Sequence, residues 1–167
     1  MRFTNQSSQK QSQYLDELTG IYNQQAFFEY TDRMLKECPD TSFCLIYWNI
    51  RKFRTTNDLF GWEAGDKILI HWANTLRGIL QDELSVYARL DHDNFICCVT
   101  EDFLKRDDWT KLGEISYSAE GTEYHFYSCC GLYRIIDRTL PLSNMIDKAR
   151  AAMETIKNNY MTLYAWY

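Results

Sequence analysis

Apolar residues recur every three or four positions in three segments of the chain, residues 24–37, 64–80 and 140–157. This spacing places them on one stripe of an amphipathic helix, so each segment is predicted to be helical. Pro39 follows the first segment and ends it, because proline cannot continue the hydrogen bonding of a helix. Residues 103–112 show the same pattern weakly and predict a less regular helix.

Between the helices lie apolar runs with the length and aromatic content of β-strands. Residues 42–50 are almost continuously apolar, which is typical of a central strand. Further strands are predicted at residues 84–90, 95–100, 122–135 and 160–167. The third of these is expected to break near Gly131, and the polar residues 91–94 between the first two predict a hairpin. The order of elements predicts an α/β or α+β sandwich with helices covering a mixed sheet.

The composition indicates the domain organisation and the cellular compartment to expect. Residues 1–13 are polar and predict a flexible lead-in or linker, which leaves residues 14–167 as one domain. The net charge of −5 gives no overall attraction to nucleic acid or anionic lipid. No membrane-spanning run and no signal-peptide pattern is seen in the sequence. We therefore expect a cytoplasmic domain, alone or as the cytoplasmic part of a larger, membrane-bound protein.

Six cysteines include two adjacent pairs, Cys97–Cys98 and Cys129–Cys130, inside predicted strands. Neighbours on a strand point to opposite faces, so neither pair is placed to form a disulfide. The cysteines are predicted to be reduced, buried, small apolar side chains. The three histidines show no metal-ligand spacing.

Three segments, in order, carry a resemblance to a known family: residues 16–23 (DELTGIYN), residues 49–66, which begin NIRKFRTTND, and residues 89–95 (RLDHDNF). They are similar to the D-x-L-T-G-L-x-N, D-x-D-x-F-K-x-x-N-D and R-x-G-G-D-E-F motifs of GGDEF domains, the diguanylate cyclase family. The resemblance covers about residues 14–167. It implies a mixed, mainly antiparallel central sheet flanked by helices.

The resemblance also implies a reaction, in which two GTP molecules are condensed into cyclic di-GMP with the help of Mg²⁺ on two carboxylates. Asn49 and Asp93 stand at the two ligand positions, and Asn94 stands where the family has the next glutamate. An amide offers Mg²⁺ only a neutral oxygen and cannot accept a proton near neutral pH. Asn49 and Asp93 are therefore predicted to form a vestigial metal site, and no catalytic residue is predicted.

Asp91 and His92 stand at the two glycine positions of the hairpin motif, which continues through Asp93 and Asn94 to Phe95. Glycine there lets the backbone approach a phosphate. Asp91 instead brings a negative charge, and two unit charges about 4 Å apart repel by about 4 kcal/mol at an effective dielectric of about 20. The alternative is that these residues form only a polar turn.

Four residues match family positions that contact the nucleotide. Asn57 and Asp66 correspond to residues that read the guanine edge, whereas Arg54 and Lys157 correspond to phosphate-contacting lysines. Two alternatives remain open: Asn57 caps a helix with Asp66 in the first turn of the next, and Arg54 and Lys157 are solvated surface charges. A further arginine of the family appears as Met161.

Two resemblances concern regulation. The product-inhibition motif R-x-x-D falls on residues 82–85, where Asp82 replaces the arginine, so no product inhibition is expected. Residues 147–149, 157–160 and 164–167 resemble the end of GGDEF domains that continue into an EAL phosphodiesterase domain. We therefore expect the chain to be a piece of a longer protein.

These observations predict a degenerate GGDEF domain without cyclase activity, acting as a regulatory or guanine-nucleotide-binding module for an attached EAL domain. A purely structural or dimerisation domain and a residual cyclase are the alternatives. The expected ligand is GTP with Mg²⁺, and a second copy of the chain is a candidate partner. Tryptophans are expected in the core or an interface, with Trp62 beside the nucleotide loop as a candidate plug.

Overall fold

The computed structural model describes residues 12–81, 83–119 and 121–167. The predicted lead-in therefore lies outside the described residues, apart from its last two positions. In chain order the elements are α1 (Gln24–Glu37), β1 (Phe43–Ile50), α2 (Phe53–Phe60), α3 (Trp62–Leu80), β2 (Ser85–Asp91), β3 (Asn94–Thr100), α4 (Glu101–Leu104), a 3₁₀ helix (Asp108–Gly113), β4 (Glu114–Ala119), β5 (Thr122–Arg134), α5 (Leu142–Ile156) and β6 (Tyr164–Trp166).

The strands form a single twisted layer in the order β2-β3-β1-β5-β4, with β6 also paired to β5. The β2–β3, β3–β1, β1–β5 and β5–β4 pairs are antiparallel, whereas β6 runs parallel to β5. Every residue of β1 is buried, as the continuous apolar run predicts. The predicted mixed, mainly antiparallel sheet flanked by helices is confirmed.

The core lies on both faces of the sheet. On one face, Trp48 of β1 packs edge-on against Trp72 of α3 and Trp109 of the 3₁₀ helix, with ring centroids 5.7 and 6.2 Å apart. On the other face, α1 and α5 cover the strands with side chains such as Phe27 and Met153. Each helix thus contributes the apolar stripe that its sequence period predicts.

Two elements were not predicted from the sequence. Helix α2 contains Thr55, Thr56 and Asn57, which have low helix propensity. It begins after Lys52, whose backbone is left-handed at φ 52°, and it ends at Gly61 with φ 84°. Strand β4 alternates polar and apolar residues from Glu114 onwards, a usable strand signal.

Three predicted boundaries are wrong. The weak helix at residues 103–112 is two short pieces, α4 and the 3₁₀ helix, and the last strand has three residues rather than eight. The strand predicted at 122–135 is not broken at Gly131. A Cβ at Gly131 would lie 1.9 Å from the Ala149 carbonyl oxygen and 2.4 Å from the Met153 nitrogen. Gly131 is therefore present because α5 packs directly against the strand.

The cysteines are free thiols, five of them buried and Cys38 partly exposed. Burial raises the pKa of the Cys44 thiol to about 12, and the same cause raises the pKa values of Cys97, Cys98, Cys129 and Cys130. These five thiols therefore stay protonated at neutral pH, and their burial is as predicted, whereas Cys38 is not buried. Among the described residues, no helix is long and apolar enough to cross a membrane.

Candidate functional site

The candidate site begins at the turn between β2 and β3. Asp91 pairs with Asn94 across the hairpin, which leaves His92 and Asp93 as the two turn residues. His92 has a positive φ of 35°, a conformation that glycine adopts at less cost than histidine. The Asn94 side-chain amide donates a hydrogen bond of 2.6 Å to the Asp91 carboxylate. The hairpin therefore forms with Asp and His at the glycine positions.

Arg89 fixes this turn to the start of the domain. Its Nε donates to the His92 carbonyl oxygen at 2.9 Å, and its Nη1 lies 3.2 Å from the Asp16 carboxylate. Asp16 also accepts hydrogen bonds from the backbone N–H and the hydroxyl of Thr19. The pKa of Asp16 is lowered by these hydrogen bonds and by the Arg89 charge, although partial burial opposes them. Two of the three motif segments are thus physically joined.

Asn49, at the end of β1, lies under the turn and is 2% exposed. Its Nδ2 donates to the Asp93 carboxylate and to the Asn94 Oδ1, both at 2.9 Å. The backbone N–H of Ile50 donates to the Asp93 carbonyl oxygen at 3.2 Å. The positions that resemble the two metal ligands are therefore in direct contact, but the contact is a hydrogen bond from an amide.

The carboxylate of Asp93 is half-buried. Burial raises the pKa of Asp93, and the hydrogen bond from Asn49 and the positive charge of Lys157 only partly oppose this. The neighbouring carboxylate of Asp91 acts in the same direction as burial. Lys157 is thus close enough to act on the hairpin, which places one predicted phosphate contact beside the predicted vestigial metal site.

The donor set around Asp93 does not fit the Mg²⁺ that the resemblance implies. Asn49 directs its two N–H bonds, not an oxygen, towards Asp93 and Asn94. The Asn49 Oδ1 is buried and has no hydrogen-bond partner among the residues that the structure describes. In the part of the chain that the structure describes, no group of three or more His, Cys, Asp or Glu side chains could hold a metal ion. One carboxylate without a second anionic ligand is a poor Mg²⁺ site.

Arg51 is the functional candidate that the sequence analysis missed. It is 6% exposed, and its guanidinium donates to the carbonyl oxygens of Ile156, Lys157 and Thr162 at 3.1, 2.6 and 2.7 Å. It therefore stabilises the C-terminal end of α5, where carbonyl groups lack helical partners. The signal available in the sequence was its place in the N-I-R-K-F-R segment, where the family has a second aspartate.

Arg51 and Lys52 bring two positive charges to the same aromatic ring. The Tyr160 ring lies 4.9 Å from the Arg51 guanidinium carbon and 5.2 Å from the Lys52 ammonium nitrogen. Lys157 ends α5, is half-buried, and lies 3.6 Å from the Glu154 carboxylate. Arg54 is exposed in α2 and has no ion pair with another described residue. The predicted phosphate contacts therefore differ: Lys157 belongs to the hairpin site, whereas Arg54 faces solvent.

The two predicted guanine-reading residues, Asn57 and Asp66, lie on adjacent helices. Asn57 does not cap a helix and Asp66 is not in a first turn, so the helix-capping alternative does not describe them. Asn57 is inside α2 and 8% exposed, with its Oδ1 buried and unpartnered. A Cβ on Gly65 would lie 1.9 Å from that oxygen, so Gly65 leaves the space for the Asn57 side chain. Asp66 is exposed at the fifth position of α3, not in its first turn.

The remaining predicted positions have separate outcomes. Trp48, Trp72 and Trp109 are core residues, whereas Trp62 is 77% exposed and so does not plug a site within this chain. Trp166 is 45% exposed beside the Arg134 guanidinium. Asp82, which replaces the arginine of the product-inhibition motif, lies outside the described residues.

Comparison with known families gives one match over most of the chain. The model of the family described as "Diguanylate cyclase, GGDEF domain" matches residues 13–162. The coiled coil and GGDEF domain of DgcB from Caulobacter crescentus, solved in complex with c-di-GMP, superposes with a TM-score of 0.83 at 16% identity. That alignment covers 96% of this chain and 89% of that one.

Another solved structure, the GGDEF domain of FimX from Pseudomonas aeruginosa, gives a TM-score of 0.77 at 15% identity over 92% of this chain and 99% of that one. At these identities the solved structures show that the fold is shared.

Two curated relatives place the match within longer proteins. The biofilm architecture maintenance protein MbaA from Vibrio cholerae is 30% identical over 87 residues, which are 48% of this chain and 11% of that protein. The cyclic di-GMP phosphodiesterase NbdA from Pseudomonas aeruginosa is 31% identical over 98 residues, 58% of this chain and 12% of that protein. The matched segments span less than one fifth of the curated relatives' own lengths.

Proposed function

The chain belongs to the diguanylate cyclase GGDEF-domain family, and from that premise we propose that it is a member without cyclase activity that acts as a guanine-nucleotide-binding, regulatory module. The observation that carries the proposal is the hydrogen bond from the Asn49 amide to Asp93. An amide N–H donor satisfies the Asp93 carboxylate in the place where the family's reaction requires a divalent cation. The family's chemistry then lacks the charge that would activate the attacking hydroxyl.

Nucleotide binding does not depend on the same residues. Asn57 and Asp66 present an amide and a carboxylate from neighbouring helices, and these groups complement the acceptors and donors of a guanine edge. The Oδ1 of Asn57 is buried without a partner among the described residues, and an N–H group of a bound guanine would offset this cost by donating a hydrogen bond to it. Arg54 and Lys157 supply positive charge for phosphates. We propose weak binding, because Asp91 adds negative charge beside the phosphate path.

The module is proposed to act within a longer protein of cyclic di-GMP signalling, with an EAL phosphodiesterase domain in the same polypeptide as its partner. Support comes from the similarity to NbdA, whose name is that of a cyclic di-GMP phosphodiesterase, and from the short share of each relative that is matched. Localisation in the cytoplasm belongs to the same proposal, because GTP is a cytoplasmic nucleotide.

A dimerisation or packing role is the second candidate, and one surface favours it. Leu59, Phe60 and Trp62 at the turn between α2 and α3 are 71%, 52% and 77% exposed. Contiguous apolar side chains at the surface are typical of interfaces. Sedimentation velocity of the chain and of its Trp62→Ala variant separates the candidates, because only a dimerising surface gives a concentration-dependent sedimentation coefficient that the variant loses.

Isothermal titration with GTP, in the presence and absence of Mg²⁺, tests the proposed nucleotide site. We expect a millimolar or sub-millimolar affinity that Mg²⁺ changes little. Asp66→Asn is expected to weaken binding by about tenfold to a hundredfold, since hydrogen bonds to charged groups contribute about 1.5–3 kcal/mol. Asp58→Asn is the matched control, because Asp58 is an exposed carboxylate in α2. Absence of binding at millimolar GTP, or equal losses in both variants, would refute the site.

A further inference from the structure

A cleft of about 180 Å³ lies on the face of the sheet that α1 and α5 cover. It is lined by Gln24, Phe28, Tyr47, Leu90, Asp91, Ser143, Ile146, Asp147 and Arg150. Gln24 begins α1, and Ser143 is the second residue of α5, so the first turns of two helices meet there. Of the residues in the hairpin site, only Asp91 also lines this cleft.

The helical spacing explains why these side chains meet. Gln24 and Phe28 are four residues apart on α1, and Ser143, Asp147 and Arg150 recur at four and three residues on α5. Residues at these separations share one face of a helix. The cleft therefore forms where one face of each helix packs on the sheet. Both helices contribute polar side chains to its lining.

Tyr47 is the central observation in this cleft. Its side chain belongs to a residue that is only 5% exposed, yet its hydroxyl makes no hydrogen bond with any described residue. The hydroxyl itself keeps some accessible surface, so a ligand in the cleft can bond to it without displacing a protein partner. Burial and the nearby Asp91 carboxylate raise the pKa of Tyr47 to about 12. The phenol is thus a hydrogen-bond donor at neutral pH, directed into a cleft that admits a ligand.

The start of α5 adds a second, independent feature. Its N-cap is Pro141, which has no side-chain acceptor, and no acidic residue lies in the first turn of this 15-residue helix. The N–H groups of Asn144 and Met145 donate to the Pro141 carbonyl oxygen. An uncapped helix start carries partial positive charge and attracts an anionic group.

The hairpin contributes negative charge to the cleft. Asp91 projects from the hairpin and is exposed, and its carboxylate is bound only by the Asn94 amide among the described residues. The Arg150 charge is balanced by Asp147 at 2.9 Å. The cleft therefore combines partial positive charge at the start of α5 with the negative charge of Asp91, and Phe28, Leu90 and Ile146 give it apolar surface.

We propose that this cleft binds a small zwitterion with a compact apolar body, the chemistry of a free aliphatic amino acid. The carboxylate of the ligand accepts hydrogen bonds from the Tyr47 hydroxyl and the first turn of α5, and its ammonium group faces Asp91. A ligand that contacts Asp91 touches the motif hairpin, on the face of the sheet that Tyr47 and Asn49 share. Occupation of the cleft therefore adds a contact to the motif hairpin at Asp91, the residue that the cleft shares with the proposed nucleotide site.

Three matched probes test the assignment: L-leucine, 3-methylbutylamine, which lacks the carboxylate, and 4-methylpentanoate, which lacks the ammonium group. Titrations followed by amide chemical shifts are expected to give millimolar binding of L-leucine, at least fivefold tighter than either analogue. The largest shifts are expected at Gln24, Asp91 and Ser143. Binding of either analogue as tightly as L-leucine, or no binding of any probe, would overturn the proposal.

The Tyr47→Phe variant tests the central contact. It removes only the hydroxyl and is expected to weaken L-leucine binding fivefold to tenfold, with amide shifts otherwise like those of the wild-type chain. Tyr87→Phe is the control, since Tyr87 packs against the core on the other face of the sheet. Unchanged affinity in Tyr47→Phe, or shifts located away from the cleft, would contradict the proposal, and the wild-type titration decides it independently of either variant.

Discussion

At the scale of single residues, the end of β1 determines what the site can do. Asn49 contributes N–H donors to Asp93, and Arg51 places a buried positive charge two residues later. Neither side chain can serve as an anionic metal ligand. Protein groups accept hydrogen bonds from both: the hairpin from the Asn49 Nδ2 and the end of α5 from the Arg51 guanidinium. The residues that resemble a metal site therefore act as structural ties between strand, hairpin and helix.

The Asn49→Asp variant tests this interpretation of Asn49. A carboxylate at position 49 would face Asp93 without a donor, so we expect the free energy of unfolding at pH 7 to fall by about 1–3 kcal/mol. Urea denaturation measures the change. Asn158→Asp, at an exposed position after α5, is the control and should change stability by less than about 0.5 kcal/mol. Equal stability of Asn49→Asp and the wild-type chain would show that the amide contact is not important.

Asp93 gives a prediction about pH. Its pKa in the folded state is raised above the usual value of 3.8, because the carboxylate is half-buried. The folded state therefore binds the Asp93 proton more tightly than the unfolded chain does. The stabilisation from this proton is complete below the pKa of Asp93 in the unfolded chain, and it is lost as the pH rises through the pKa of Asp93 in the folded state. Asp93→Asn should remove that loss. The difference in unfolding free energy between the variant and the wild-type chain should grow in favour of the variant from pH 3 to pH 6, by urea denaturation, and a constant difference would contradict the assignment.

At the scale of elements, the close contact between β5 and α5 positions the site. Gly131 lets the helix lie directly on the strand, and Arg51 holds the end of the same helix beside the hairpin. The positive charge of Lys157 lowers the pKa of Asp93 from its place directly after α5. A shift of this helix would therefore move the charge that acts on Asp93.

Two glycine substitutions separate packing from backbone effects. Gly131→Ala places a methyl group against the α5 backbone, so we expect a loss of about 2–3 kcal/mol or more in unfolding free energy, the cost of overpacking. Gly78→Ala, where the added Cβ meets open space in an exposed turn of α3, should instead stabilise the chain by about 0.5–1 kcal/mol. Thermal unfolding monitored by circular dichroism provides both values, and a tolerated Gly131→Ala would contradict the close contact.

At the scale of the whole molecule, strong periodic signals predicted most of the fold. Helix α1 lies where its apolar spacing places it, and β1 is buried along its whole length. Helix α2 was missed because its polar, β-branched residues have weak helix propensity and tertiary packing sets its conformation. Gly131 was interpreted as a strand break because the approach of a helix remote in sequence leaves no local signal.

The candidate site was predictable only in part. Motif spacing identified Asn49, Asp93 and Asn94, and the structure brings these three side chains into contact. The direction of the Asn49 amide, the burial of Arg51 and the cleft at Tyr47 depend on contacts between residues far apart in the sequence. No pattern along the chain encodes them, so they become visible only in the folded molecule.

The most direct test of the central claim is chromatographic detection of cyclic di-GMP after incubation of the chain with GTP and Mg²⁺ at high protein concentration. We expect no product above that of a heat-denatured sample, because Asn49 provides no anionic metal ligand at the site. The Asp93→Asn variant, measured in parallel, should be indistinguishable from the wild-type chain. Accumulation of cyclic di-GMP by the wild-type chain, lost in Asp93→Asn, would contradict the account.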